Sequence, residues 1–196
     1  RGHENSEGHC TTFGIKERYD VIDWAKYLVD RFGEEQKIVI YGISMGAATV
    51  LMPSSMDTLP PQVVGVMADC GYTSAREIIQ LVIRQQMHLP DRLSYPFVKL
   101  GARLFGKFDL DALPPVEAVK KCTVPVIFFH GEDDDFVPCQ MSRDNYEACA
   151  SKKAICTVPG AGHGLSFLVD QAGYLKAVAE FFGPEASAKS AASETV

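Results

Sequence analysis

Lys37-Ile38-Val39-Ile40-Tyr41-Gly42-Ile43-Ser44-Met45-Gly46-Ala47-Ala48 is the stretch on which the fold turns. Lys37 to Tyr41 is a short apolar, β-branched run and reads as a buried strand. Gly42-Ile43-Ser44-Met45-Gly46 follows it directly, and Ser44 to Met56 reads as a helix that Pro53 ends or bends. A serine in this position must sit on a sharp turn in a strained conformation, so that its hydroxyl projects above the sheet. Gly42 and Gly46 lack side chains that would block the close approach of strand and helix. The Met45 N–H, at the helix N-terminus, is aimed to stabilise an oxyanion. The same letters also fit an ordinary glycine-rich turn holding a phosphate. No Gly-Lys-Ser/Thr ending and no G-x-G-x-x-G accompanies them, which weighs against that reading.

Working outward, three more runs read as strands: Val63 to Met67, Val124 to Phe129 and, more weakly, Lys153 to Val158. The runs at 37–41 and 124–129 are continuous rather than alternating, which suits strands covered on both faces. Helical patterns lie between and around them. Ile15 to Phe32 sets Tyr19, Ile22, Leu28, Val29 and Phe32 on one face, with Gly33 as a stop. Pro138 to Ala150 is another, and Asp170 caps a last helix to Phe182 with Tyr174, Leu175, Val178 and Phe182 inward. Strand and helix alternate, so the class is α/β with a mostly parallel sheet flanked by helices. Residues 1–183 form one domain. Thr73 to Val119 is long for one connection and holds helical patterns at about 75–87 and 93–105. It reads either as a crossover with extra packing or as a small helical cap over a substrate pocket. Residues 184–196 are Ala/Ser-rich and are expected to be disordered.

Ligands in such sheets bind beyond the carboxyl ends of the strands, and two further motifs fall there. The 124–129 strand runs into His130-Gly131-Glu132-Asp133-Asp134-Asp135-Phe136-Val137-Pro138. A carboxylate here would hold a histidine tautomer and stabilise its imidazolium. Composition cannot rank the three aspartates, and Asp69 after the 63–67 strand is a reserve candidate. The last strand leads into Pro159-Gly160-Ala161-Gly162-His163-Gly164, a loop suited to deliver an imidazole. His130 ends an apolar strand and reads as buried and hydrogen-bonded. The order Ser, Asp, His, each after a strand, singles out His163.

The net charge is −6 with the basic residues scattered, so nucleic acid is not an expected partner. No apolar run approaches the roughly 18 residues of a membrane span, and no membrane partner is expected. The six cysteines show no zinc spacing and a chain of this size needs no disulfide staples. A reducing, cytoplasmic setting follows, with no cofactor and no metal.

Gly42-x-Ser44-x-Gly46, His130-Gly131-x-x-Asp134-x-x-Val137-Pro138 and Gly162-His163-Gly164 together resemble the α/β-hydrolase superfamily, most closely its bacterial serine aminopeptidase-like and esterase-like hydrolases. The resemblance runs to Phe182 and implies a triad of Ser44, Asp134 and His163, placing the acid on Asp134 rather than its neighbours. It departs at the front. Arg1-Gly2-His3-x-x-Ser6-x-Gly8 resembles the loop after the family's fourth strand, but Glu4 stands where that pattern has glycine. The chain thus looks N-terminally truncated, without the early strands and the loop that gives the second oxyanion N–H. The 37–41 strand would then have an uncovered edge and a tendency to self-association. The implied activity is that of a carboxylesterase acting through an acyl-enzyme on Ser44, on a small-molecule ester. Peptidase, amidase or thioesterase chemistry, or an impaired fragment, are the alternatives. Phe136, Leu165 and the apolar helices of the insertion point to an apolar acyl or aryl pocket.

Overall fold

The computed structural model describes residues 1–183; the tail expected to be disordered lies outside them. Four strands, β1 (Ile38–Ile43), β2 (Val63–Asp69), β3 (Val126–Gly131) and β4 (Lys153–Val158), pair in parallel in the order β1-β2-β3-β4. The helices are α1 (Glu17–Phe32), α2 (Met45–Leu51), α3 (Ala75–Gln85), α4 (Asp91–Gly101), α5 (Pro115–Val119), α6 (Cys139–Ala148), α7 (Ser166–Val169) and α8 (Gln171–Phe182). A 3-10 turn at Met52–Ser55 follows α2, with Pro53 inside it, and a π-helical turn at Ala102–Gly106 follows α4. This is the α/β architecture expected from the alternation of runs. No described helix is long and apolar enough to cross a membrane.

Alternation along the strands divides the core between two faces. Val66, Ala68, Val126 and Phe128 meet Ala47, Val50 and Leu51 of α2, Val119 of α5 and Cys149 after α6. On the other face Ile127 and Phe129 meet Tyr174 and Phe181 of α8, with the Phe129 and Tyr174 rings stacked at 3.7 Å. Asp170 caps α8 by accepting the Gly173 N–H. Gly65 is required here, since a Cβ would stand 2.2 Å from the Phe182 ring.

β3 is buried at every residue, as its continuous apolar run suggested. β1 differs. Ile40 and Gly42 face the helices, while Val39, Tyr41 and Ile43 are exposed. β1 pairs only with β2, so among the described residues it is an edge strand with its other edge unpaired. Two helical faces also differ from the sequence reading. α1 rests on α2 and the 3-10 turn through a narrow stripe, Ile22 and Ala25, leaving Tyr19 and Phe32 outside it. In α8 Phe181 turns inward and Leu175 outward, because the contact follows Phe129 and Ile127.

The connection from β2 to β3 divides its work. α5 buries Val119 in the main core, as a crossover helix does. α3 packs Ile78 and Leu81 on Ala48, Tyr72 and Val137, and α4 joins α3 through Tyr95, Ala75 and Leu110. Asp111, on the returning chain, receives hydrogen bonds from Arg76, Tyr95 and Lys99, so one carboxylate ties α3, α4 and the return together. The two ends of the excursion meet where the Val116 N–H donates to the Thr73 carbonyl at 3.1 Å.

Candidate active site

Ser44 stands between β1 and α2 at φ 56° and ψ −117°, the strained conformation anticipated for this turn. Its N–H donates to the Asp69 carbonyl at 2.8 Å, fixing the turn to the end of β2. Gly42 permits it: a Cβ there would lie 2.2 Å from the Gly46 carbonyl group. Gly46 plays the passive part, since a Cβ on it would meet nothing within 4 Å. The first α2 residue to donate back to Ser44 is Ala48, so Met45 heads a set of N–H groups without intrahelical partners.

The loops after β3 and β4 are locked together. Asp133 N–H donates to the Ala161 carbonyl and Glu132 N–H to that of Val158. Gly131 is pressed so close that a Cβ would stand 2.2 Å from the Ala161 oxygen. This clamp sets Asp134 under His163. His163 Nδ1 donates to Asp134 Oδ2 at 2.8 Å, and its Nε2 lies 2.9 Å from the Ser44 hydroxyl. The three residues named from the sequence thus form one hydrogen-bonded chain. Asp133 and Asp135, by contrast, point into solvent.

The Asp134 carboxylate is buried, which by itself would raise its pKa. Hydrogen bonds from His130, His163 and the Val137 and Phe136 N–H groups outweigh burial and hold it down at about 2. It is therefore anionic throughout the neutral range. Asp69 has another role: it accepts from the Ser166 hydroxyl at 2.9 Å, and burial pushes its pKa upward. His130 is fully buried, as expected, between the Ser142 hydroxyl and the Val137 carbonyl.

Cys70 was not singled out by any spacing. It is buried at φ 48° directly after β2. Its sulfur, the Asp134 carboxylate and a His163 nitrogen lie within 4.8 Å of one another, a grouping able to hold a metal ion. Burial, with the nearby Asp69 charge, pushes the thiol up to about 12, so it keeps its proton at neutral pH. Asp134 and His163 are already bonded to each other, and the geometry is that of a neutral thiol packed beneath a hydrogen-bonded carboxylate and imidazole.

A cavity of about 500 Å³ opens beside Ser44. Phe13, Tyr72, Ile79, Val82, Ile83 and Phe136 are among its walls, and its lining is almost wholly apolar. The insertion supplies one wall through α3 and Val98 of α4. Phe136 also lies edge-on to the His163 ring at 5.0 Å. Leu165 is half exposed at the start of α7 and is not among the lining residues.

No family model matches the sequence. Protein YqkD of Bacillus subtilis is 27% identical over 181 residues, which are 92% of this chain and 59% of that protein. The alpha/beta hydrolase domain-containing protein aho-3 of Caenorhabditis elegans is 25% identical over 86% of this chain and 43% of its own length. The chain spans about half the length of the curated relatives it matches. Among solved structures, an esterase of Pyrococcus furiosus superposes with a TM-score of 0.68 at 22% identity, over 92% of this chain and 66% of that one. The parallel sheet, the turn at Ser44 and these relatives agree: the chain belongs to the α/β-hydrolase superfamily.

Proposed function

We propose that this chain is a serine hydrolase that cleaves esters through an acyl-enzyme on Ser44. The observation that carries the reading is the unbroken path of hydrogen bonds from Asp134 through His163 to the Ser44 hydroxyl. His163 Nε2 takes the hydroxyl proton as Oγ attacks the substrate carbonyl carbon. Asp134, anionic at neutral pH, holds the Nδ1–H tautomer and stabilises the imidazolium. The Met45 N–H faces the developing oxyanion. Collapse of the tetrahedral intermediate breaks the carbon–oxygen bond, and His163 returns its proton to the departing alcohol. Water, deprotonated by His163 in turn, releases the acid and restores Ser44.

The lining of the cavity beside Ser44 supports an apolar acyl group over a charged or peptidic one. Apart from Ser44 and the Tyr72 hydroxyl, which is bonded to the Phe13 carbonyl, the named side chains of that wall are apolar and offer little to a peptide's amide groups or its charged terminus. A fluorophosphonate probe tests the proposal. Stoichiometric labelling at Ser44 is expected; folded protein that takes up no label would instead mark a non-catalytic member of the superfamily.

A further inference from the structure

α4 carries an apolar stripe on its outer side. Leu93, Phe97, Leu100 and Leu104 follow one another at spacings of four, three and four, which places them on one face through the π-helical turn. Phe105 stands beside them. The inner side is used by Tyr95, packed on α3, and Lys99, bonded to Asp111. The outer side is largely open among the described residues: Leu93 is 70%, Phe97 75%, Leu104 62% and Phe105 88% exposed. Scattered apolar residues are normal on a protein surface, whereas a contiguous set on one short helix marks a contact surface.

Charge distribution narrows the partner. The chain has a net charge of −6, yet residues 84–111 hold five Lys or Arg against three Asp. Asp91, Asp109 and Asp111 pair with Arg84, Arg103 and Lys99. Among the described residues Arg92 and Lys107, flanking the stripe at its two ends, have no acidic partner within 4 Å. Bulky apolar side chains flanked by free cations suit the interface of an anionic bilayer, with the aliphatic groups among the acyl chains and the cations at the phosphates. The face also adjoins the cavity. Met87 and Val98 line the space beside Ser44 and are themselves exposed at its mouth.

We propose that the outer face of α4 and the turn after it docks on an anionic lipid surface, bringing the cavity mouth to apolar substrates held there. The contact is a peripheral one, since no described helix is long and apolar enough to cross a membrane. The docking stands on exposure and charge alone, while the delivery of substrate rests on the ester-hydrolase reading above.

The test is cosedimentation of the full chain with phosphatidylcholine vesicles, with and without phosphatidylglycerol, beside hydrolysis of a short water-soluble ester. The chain should pellet with vesicles, more strongly with the anionic lipid. Phe97→Ser with Phe105→Ser should weaken binding at least ~10-fold. Arg92→Gln with Lys107→Gln should weaken it about 5-fold per charge on anionic vesicles only. All variants should hydrolyse the soluble ester as the parent does. Absence of pelleting, or binding indifferent to both pairs of substitutions, overturns the docking. So does a dimer in sedimentation equilibrium that the serine pair dissolves without any vesicle binding, which would assign the face to a second copy of the chain. A parent chain that binds vesicles but hydrolyses nothing leaves the docking standing and removes the catalytic reading.

Discussion

His130 Nε2 lies 3.1 Å from Asp134 Oδ2, the same oxygen that receives His163 Nδ1 at 2.8 Å. That nitrogen is also 2.8 Å from the Val137 carbonyl, which can only accept. Nε2 therefore carries the hydrogen, and Nδ1 accepts from the Ser142 hydroxyl. In this tautomer His130 helps fix the carboxylate that orients His163, so it acts as a positioning residue. His130→Leu should lower kcat about tenfold with little change in KM, the size expected when a supporting hydrogen bond is lost. His130→Gln, which keeps a donor, should recover most of it. Steady-state kinetics on a soluble ester checks this, and equal damage from both substitutions would reduce His130 to a packing residue.

Ser44 is both the strained residue of its turn and the proposed nucleophile. Ser44→Ala should abolish fluorophosphonate labelling and ester hydrolysis with circular dichroism unchanged. Ser44→Gly should abolish them too and raise Tm. The strain of the observed φ and ψ costs about 1–3 kcal/mol, more than the ~0.5–1 kcal/mol of extra chain entropy that glycine brings. A glycine variant melting below the parent would mean that this turn is relaxed.

The four aspartates should separate cleanly. Asp134→Asn should depress kcat by up to ~10⁴ if the tautomer effect known in serine triads operates. Asp133→Asn, Asp135→Asn and Asp69→Asn should retain most activity. Acid unfolding gives a second reading. The Asp134 pKa is depressed to about 2, so its contribution is complete above its unfolded pKa and is lost as pH falls from about 4 towards 2. Asp134→Asn should thus lie about 2 kcal/mol below the parent at pH 5, with the gap closing by pH 2. Asp69 has the opposite sign. Its raised pKa makes the native state lose stability as pH climbs above the unfolded value, so Asp69→Asn should gain on the parent from about pH 4 upward.

Cavity shape predicts chain-length preference. Val82 lines the space beside Ser44, and Val82→Phe fills part of it. Hydrolysis of acetate esters should be preserved while kcat/KM for octanoate esters falls about 10- to 100-fold, since each excluded methylene is worth roughly 1 kcal/mol. Equal losses on both esters would place the acyl group elsewhere.

The open side of β1 invites self-pairing. Val39, Tyr41 and Ile43 are exposed on an edge strand, and a groove of about 350 Å³ beside it is lined by Trp24, Leu28 and Ile40. Val39→Lys with Ile43→Lys should reduce concentration-dependent association of the chain in sedimentation velocity. Association that persists at the same strength would exclude this edge.

The sequence carried most of the frame because its decisive signals are local. A strand running into Gly42-Ile43-Ser44-Met45-Gly46, and loops that follow strands, place Ser44, Asp134 and His163 at one sheet edge before any packing is known. The choice of Asp134 over its neighbours needed the resemblance, and the structure supplies a physical counterpart: Asp134 is buried beneath His163 while Asp133 and Asp135 face water. What stayed hidden depends on distant partners. Cys70 has no motif and acquires its place only when β2, β3 and the 159–164 loop converge. Asp111 reads as one more surface acid until Arg76, Tyr95 and Lys99 gather on it. Leu175 sits at good helical spacing beside Tyr174, Val178 and Phe182, yet it is exposed, because the rotation of α8 follows the stacking of Tyr174 on Phe129.

The bond between Thr73 and Val116 makes the excursion carrying α3 and α4 a closed unit whose ends leave and rejoin the sheet side by side. Its internal ties, through Asp111 and Tyr95, do not involve Ser44, His163 or Asp134. Its outer parts are free of the strand ends, whereas Ile78 and Leu81 pack on Ala48 and Val137, so an excursion of another length or character would have to keep that contact. On the proposed reading, the lining that α3 and α4 give the cavity can change through the residues facing it, while the three loops at the sheet edge keep Ser44, Asp134 and His163 in place.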